Sequence, residues 1–198
     1  TITVNPLPTA VISGNVELCH NDASPNITFT GAAGTAPYTF TYNINGGASQ
    51  TVTTAVGSST ATVSVPTGTP GTFVYNLISV QDGSTSTCSN PQAGSVTAVV
   101  YSYPPIDAGI DQLICQYTST SVVADNPTGV PFYWDNGVTN GVNFTPSGPG
   151  TYTVSADNNG CISTDDVYID IKLLPTIDFT GDILQGCEPL TVNFTSTS

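Results

Sequence analysis

The sequence predicts an all-β protein, and three observations predict it. First, only 8 % of the 198 residues are charged, against about 25 % in an average domain. The polar positions fall to Thr, Ser, Gly and Asn, which suit strands and turns rather than the Lys- and Glu-covered surface of a helix. Second, no segment carries the helical period. Alternation recurs instead, in Thr60-Ala61-Thr62-Val63-Ser64-Val65 and Asp166-Val167-Tyr168-Ile169-Asp170-Ile171. Period two with one apolar face is the pattern of a half-buried strand. Third, turn signals separate the runs: Asn45-Gly46-Gly47, Asp82-Gly83, Asn136-Gly137 and Asn159-Gly160, within a chain holding 19 Gly and 15 Pro.

Taken along the chain, these segments repeat. Pro8-Thr9-Ala10-Val11-Ile12-Ser13-Gly14, leading to Cys19, returns as Pro175-Thr176-Ile177-Asp178-Phe179-Thr180-Gly181, leading to Cys187. A middle copy starts at Pro104-Pro105 and reaches Cys115. Pro37-Tyr38-Thr39-Phe40-Thr41-Tyr42 before Asn45-Gly46 matches Pro131-Phe132-Tyr133-Trp134 before Asn136-Gly137. Pro66-Thr67-Gly68-Thr69-Pro70-Gly71-Thr72-Phe73 returns shortened as Pro146-Ser147-Gly148-Pro149-Gly150-Thr151-Tyr152. Each copy then runs through an apolar strand, a turn and a cysteine (Cys88, Cys161) into a last alternating strand.

The expected organisation is therefore one repeat over residues 1–103, a shorter one over 104–174, and the start of a third over 175–198. About seven strands in two stacked sheets per complete repeat make an immunoglobulin-like β-sandwich. The expected architecture is thus a series of tandem immunoglobulin-like β-sandwich domains. Trp134 and Tyr42 fall on the third strand, where a core aromatic is expected. The joints Asn5-Pro6-Leu7-Pro8, Tyr103-Pro104-Pro105 and Leu173-Leu174-Pro175 are short and stiff, which favours an extended array. Both ends read as cut. Thr1-Ile2-Thr3-Val4 reads as the end of a strand, and Thr197-Ser198 follows the start of another.

Charge bounds the partners. The formal net charge is −13, and Lys172 is the only Lys or Arg. One basic residue cannot neutralise a row of phosphates or hold an anionic lipid surface, so nucleic acid is excluded. No apolar run approaches 18 residues, so no membrane helix and no direct membrane insertion are expected.

Each complete repeat has one Cys before its second strand and one before its last. The pairing expected from that placement is Cys19–Cys88 and Cys115–Cys161. Each bridge would close a loop of tens of residues, worth about 4 kcal/mol in the chain-entropy model. Such bridges place the chain outside the cell. The pattern departs from antibody domains, whose bridge joins the second and sixth strands. Cys187 has no partner because its repeat is truncated; the alternative is a free thiol.

Chemistry-bearing constellations are sparse. His20 is the only His, and no Gly-x-Ser-x-Gly elbow surrounds a Ser, so a hydrolase triad lacks support. One His cannot supply a metal-hydrolase site. Fourteen carboxylates leave a glycosidase-type pair formally open, but short loops offer no cleft to raise a carboxyl pKa. No enzyme and no cofactor are expected. Calcium is the one cation considered. Asp107 and Asp111 flank the start of the second repeat, Asp157 and Asn158 lie in its last hairpin, and Asp165 and Asp166 open its final strand. Carboxylates from two segments would have to converge, because calcium takes six to eight oxygens. The alternative is that they are solvated. Asn26, Asn143 and Asn193 open Asn-x-Thr triplets, which matter only where the glycosylation pathway exists.

The segments Val16-Glu17-Leu18-Cys19, Leu113-Ile114-Cys115, Pro149-Gly150-Thr151-Tyr152-Thr153-Val154 and Asn158-Asn159-Gly160-Cys161 resemble the tandem repeats of giant Bacteroidota surface proteins, such as SprB-like gliding adhesins and other type IX secretion substrates. Residues 175–195, with Gly186-Cys187-Glu188-Pro189-Leu190-Thr191-Val192-Asn193-Phe194-Thr195, resemble the start of a PKD domain. The resemblance implies export to the cell surface and a non-catalytic spacer or multivalent adhesive array. Its partners would be a surface polysaccharide, a glycan or another cell-surface ligand, and the neighbouring repeats. The other reading is a spacer or carbohydrate-binding module of a secreted hydrolase; the flanking sequence would discriminate the two.

Overall fold

The computed structural model describes residues 4–197, and among these there is no helix. Of the strand end expected at Thr1–Val4, residues 1–3 lie outside the described residues, as does Ser198, and Val4 is not in a strand. Two compact units result. Unit 1 comprises Thr1–Pro105, Thr128–Pro131 and Ala156–Ser163; unit 2 comprises Ile106–Pro127, Phe132–Ser155 and Thr164–Ser198.

Unit 1 holds a β-sandwich built from β1 (Thr9–Ser13), β2 (Val16–Cys19), β3 (Asn26–Ala32), β4 (Thr39–Ile44), β5 (Gln50–Thr53), β6 (Thr60–Ser64), β7 (Gly71–Gln81) and β8 (Ser89–Tyr101). One sheet has the order β1-β3-β6 and the other β2-β8-β7-β4-β5. The chain crosses from the first sheet to the second at Gly14, between β1 and β2. Its φ is +122°, and an added Cβ would lie 3.0 Å from Asn26 O and 3.2 Å from Ile27 Cδ1, so only glycine fits the crossing. After the crossing β2 runs parallel to the last strand, with Val16 opposite Ala98 and Cys19 opposite Tyr101.

Alternation turns one face of each strand inward. Ile27 and Phe29 on β3, Phe40 and Tyr42 on β4, Tyr75 and Leu77 on β7, and Val96, Ala98 and Val100 on β8 form the core. Its centre is aromatic: Phe29 lies 5.6 Å from Phe40 and 5.1 Å from Tyr42, centroid to centroid. Tyr42, expected to be a core aromatic, is buried.

Unit 2 is sparer. β9 (Gln112–Cys115), β10 (Phe132–Trp134), β11 (Gly150–Asn158) and β12 (Cys161–Lys172) form a sheet of order β10-β11-β12-β9. The tip of the β11–β12 hairpin, residues 156–163, is counted with unit 1. Facing the sheet are two isolated bridges, Asp107 with Asp125 and Thr120 with Phe144. Val122, Trp134, Val154, Val167 and Ile169 pack in the core, so Trp134 occupies its expected place. β9 again runs parallel to the last strand, with Cys115 opposite Lys172. Residues 179–196 add one hairpin, β13 (Phe179–Gly181) with β14 (Phe194–Ser196), whose Phe179 and Phe194 rings meet edge to face at 5.5 Å.

The Asn-Gly signals behave as read. Asn45-Gly46, Asn136-Gly137 and Asn159-Gly160 all have positive φ at both residues. Asn159-Gly160 makes the two-residue connection between β11 and β12, the primed turn that matches strand twist.

Candidate functional site

The feature that stands out chemically is the end of the first sandwich at Cys19. The register dictates its partner. Cys19 lies opposite Tyr101, the last residue of thirteen-residue β8, whereas Cys88 immediately precedes the first. The two cysteines therefore lie at opposite ends of the sheet, roughly 40 Å apart at the rise of a strand. A disulfide needs Cα atoms within about 7 Å. The expected Cys19–Cys88 bridge is corrected on this ground. The expected Cys115–Cys161 bridge fails likewise: Cys115 faces Lys172 at the end of twelve-residue β12, and Cys161 opens that strand.

Cys19 is bonded instead to Cys161, 142 residues away, with Cα atoms 5.6 Å apart. Both sulfurs belong to unit 1, because the hairpin tip is counted there. Cys88, Cys115 and Cys187 are free thiols. The surroundings of the bond are ordered by backbone pairing. After Cys19, His20 N donates to Tyr101 O at 2.8 Å and continues the β2–β8 ladder. Asn21, at φ +67°, donates its N–H to Thr67 O, and Asp22 N returns to Cys19 O. Cys19 N donates to Asp22 Oδ2 at 3.0 Å, closing the turn. On the hairpin side, Asp157 N donates to Pro131 O and Gly160 N to Asp157 Oδ1. Asn158 Nδ2 reaches Ser102 O at 2.8 Å, just past β8. Cys161 itself is fully buried.

His20 stands beside this bond in a structural role. Its Nε2 donates to Gly68 O at 3.1 Å, and Asn21 Nδ2 lies 3.4 Å from Nδ1.

The residues read as calcium ligands are placed as backbone acceptors. Asp107 Oδ1 accepts Gly109 N, Asp165 Oδ2 accepts Ala108 N at 2.7 Å, and Asp111 Oδ1 accepts Tyr168 N. Asp166 is exposed on β12. The two segments do approach, Asp165 touching the residue after Asp107. Among the described residues, however, no three His, Cys, Asp or Glu side chains gather as a metal site. Two of the sequon amides are engaged: Asn26 Oδ1 accepts Ser64 Oγ, and Asn193 Nδ2 donates to Asp182 Oδ2.

One carboxylate that sequence reading took only as a turn signal organises a loop. Asp82 is buried where β7 ends. Burial pushes its carboxyl up, but hydrogen bonds from Ser84 Oγ and the Thr35, Ser84 and Cys88 backbone outweigh that and hold it below the usual Asp value. Its Asp-Gly context suggested an ordinary turn; the signal of a capping role is Ser84 two residues on.

No protein-family model matches the chain, and no curated protein matches it. Among solved structures it is similar to the I-band fragment I67–I69 of titin, at 15 % identity and TM-score 0.49, covering 86 % of this chain and 67 % of that one. It is similar to the N-terminal eight immunoglobulin domains of Down Syndrome Cell Adhesion Molecule, at 14 % identity and TM-score 0.45, over 84 % of this chain and 25 % of that one. A third is a Ca²⁺-stabilized adhesin by which an Antarctic bacterium binds ice, at 13 % identity and TM-score 0.41, over 85 % of this chain and 50 % of that one.

Proposed function

We propose that the chain is a non-catalytic repeat segment of a large secreted cell-surface adhesin or filament, serving as spacer and multivalent adhesive array. The observation that carries the reading is the Cys19–Cys161 bond. It ties the end of β2 to the start of β12 within unit 1, across 142 residues of chain, and a bond of this kind persists outside the cell. The strand-and-tight-turn economy of the described residues accords with this reading. So does the resemblance of the cysteine-bearing strands to Bacteroidota surface repeats exported by type IX secretion.

The partners on this reading are neighbouring repeats and a surface polysaccharide or glycan, each contact weak and effective in number. The test couples the 198-residue chain to beads at graded density and measures retention on polysaccharide-coated surfaces. Retention rising steeply with density, without release of reducing sugar, is the expected result. Retention independent of density, or sugar release, would overturn it.

A further inference from the structure

The ends of the two sheets share two backbone hydrogen bonds and one positive φ after the cysteine. In the first, Cys19 ends β2 opposite Tyr101, His20 N donates to Tyr101 O at 2.8 Å, Asn21 adopts φ +67°, and Asp22 N donates to Cys19 O at 3.1 Å. In the second, Cys115 ends β9 opposite Lys172, Gln116 N donates to Lys172 O at 2.9 Å, Tyr117 adopts φ +65°, and Thr118 N donates to Cys115 O at 3.1 Å. A non-glycine residue at positive φ is uncommon, so its return two residues after each cysteine marks one motif used twice. In the first copy the cysteine is bonded to a hairpin cysteine. In the second it is exposed and free.

The other half of the bond is duplicated too. Cys161 opens β12 after the two-residue β11–β12 turn, and Cys88 is the last residue of the longer β7–β8 connection, residues 82–88. Cys88 is also a free thiol, half-buried. The chain thus holds one complete socket-and-plug pair, one empty socket and one unused plug.

One residue beyond Cys115 in the chain begins a groove of ≈ 560 Å³ that Cys115 itself does not line. Gln116 and Tyr117 of the motif line it, with Pro146, Pro149, Ile171 and Leu173. Its Pro146–Pro149 wall is the counterpart of the Thr67-Gly68 loop, which in the first copy receives Asn21 N and His20 Nε2. Tyr117 and Leu173 are 78 % and 71 % exposed and give the groove an apolar rim.

We infer that Cys115 forms a disulfide with the Cys88-bearing hairpin of a second copy of this chain, with the neighbouring groove at Gln116 and Tyr117 receiving part of that hairpin. A second copy of this chain presents such a hairpin at Cys88, so the two open positions complement one another head to tail. A heterologous contact of that sort joins copies head to tail, into a filament or, where the rotation closes, a ring. Bond formation removes one proton and one electron from each thiol. Glutathione disulfide takes them up and becomes two glutathione thiols.

The test uses the 198-residue chain with Cys187→Ser, incubated in glutathione redox buffer, run on non-reducing gels and mapped by peptide mass spectrometry. The expected product is a ladder of oligomers in which Cys88–Cys115 is the dominant new cross-link. Cys88→Ser alone and Cys115→Ser alone should each abolish the ladder. Their equimolar mixture should stop at a dimer, because each chain then offers one half of the pair. The Cys19–Cys161 peptide, present in every sample, reports that the variants are folded. Thiols at Cys88 and Cys115 that stay free, or Cys88–Cys88 and Cys115–Cys115 links as abundant as the mixed one, would overturn the inference. This readout is independent of adhesion.

Discussion

Trp134 donates its indole Nε1 to Asn140 Oδ1 at 3.1 Å, and the same oxygen accepts Ala124 N at 2.8 Å. One exposed-side amide thus satisfies the polar atom of the largest core side chain in unit 2 and fixes the segment that carries Val122. Asn140→Ala should strand the Trp134 indole N–H, whereas the exposed Ala124 N–H turns to water. An unsatisfied buried donor costs about 1–3 kcal/mol, so urea denaturation is expected to show a loss in that range. Asn140→Asp, which keeps the acceptor, should recover most of it.

Removing Cys161 should be far costlier than removing Cys88. The Cys19–Cys161 bond closes a loop with a sequence separation of 142. In the chain-entropy model such a loop is worth about 5 kcal/mol. Cys161→Ser is expected to lower thermal stability sharply, and Cys88→Ser to leave it within about 0.5 kcal/mol. Calorimetry of both, with and without reductant, checks the order; reductant should move the wild type and not Cys161→Ser.

Acid should weaken the β7–β8 connection through Asp82. Its folded pKa lies below the unfolded value of about 3.9. A depressed carboxyl contributes stability above the unfolded pKa and loses it as pH falls through the folded one. The difference in melting temperature between wild type and Asp82→Asn should therefore be full at pH 6 and shrink below about pH 4. A pH-independent difference would assign Asp82 a purely steric role.

Tyr75→Phe should be neutral or stabilising. Tyr75 is fully buried, and its Oη has no hydrogen-bond partner among the described residues. Burial, and secondarily Tyr42, whose ring lies 6.3 Å away, raise its pKa. Removing an orphaned hydroxyl returns the desolvation cost of the group, about 1 kcal/mol. Equilibrium denaturation reads the sign.

Calcium should leave the melting curve unmoved. The oxygens of Asp107, Asp111 and Asp165 already accept backbone N–H groups. Asp165→Ala is expected to destabilise by about 1–2 kcal/mol through loss of the Ala108 N acceptor, equally in Ca²⁺ and in chelator. A calcium-dependent shift that Asp165→Ala removes would support calcium binding there.

Strand identity was legible because burial follows alternation. Thr60–Val65 reads as period two, and its Ala61 and Val65 are buried. Asn159-Gly160 announced its hairpin because few dipeptides accept two positive φ values. Cysteine pairing was not legible. Spacing places Cys19 and Cys88 in one repeat, but it does not say that β2 crosses at Gly14 and runs parallel to β8. That direction alone carries Cys19 to the far end of the sheet. The thinning of the second layer over residues 106–144 to two bridges was equally hidden. Its Pro- and Gly-bearing sequence resembles the start of the longer repeat without supplying paired alternating runs.

The Cys19–Cys161 ring also sets how far the chain can lengthen under load. Tension applied at the two ends passes from residue 19 to residue 161 through the sulfur atoms and bypasses everything between them. At the reach of an extended chain the bypassed segment represents roughly 480 Å of contour. That length stays locked however many strands within the ring come apart, and only a reductant or a thiol exchange releases it. The intact bond therefore makes this stretch nearly inextensible, while its cleavage would convert the same residues into a long shock absorber.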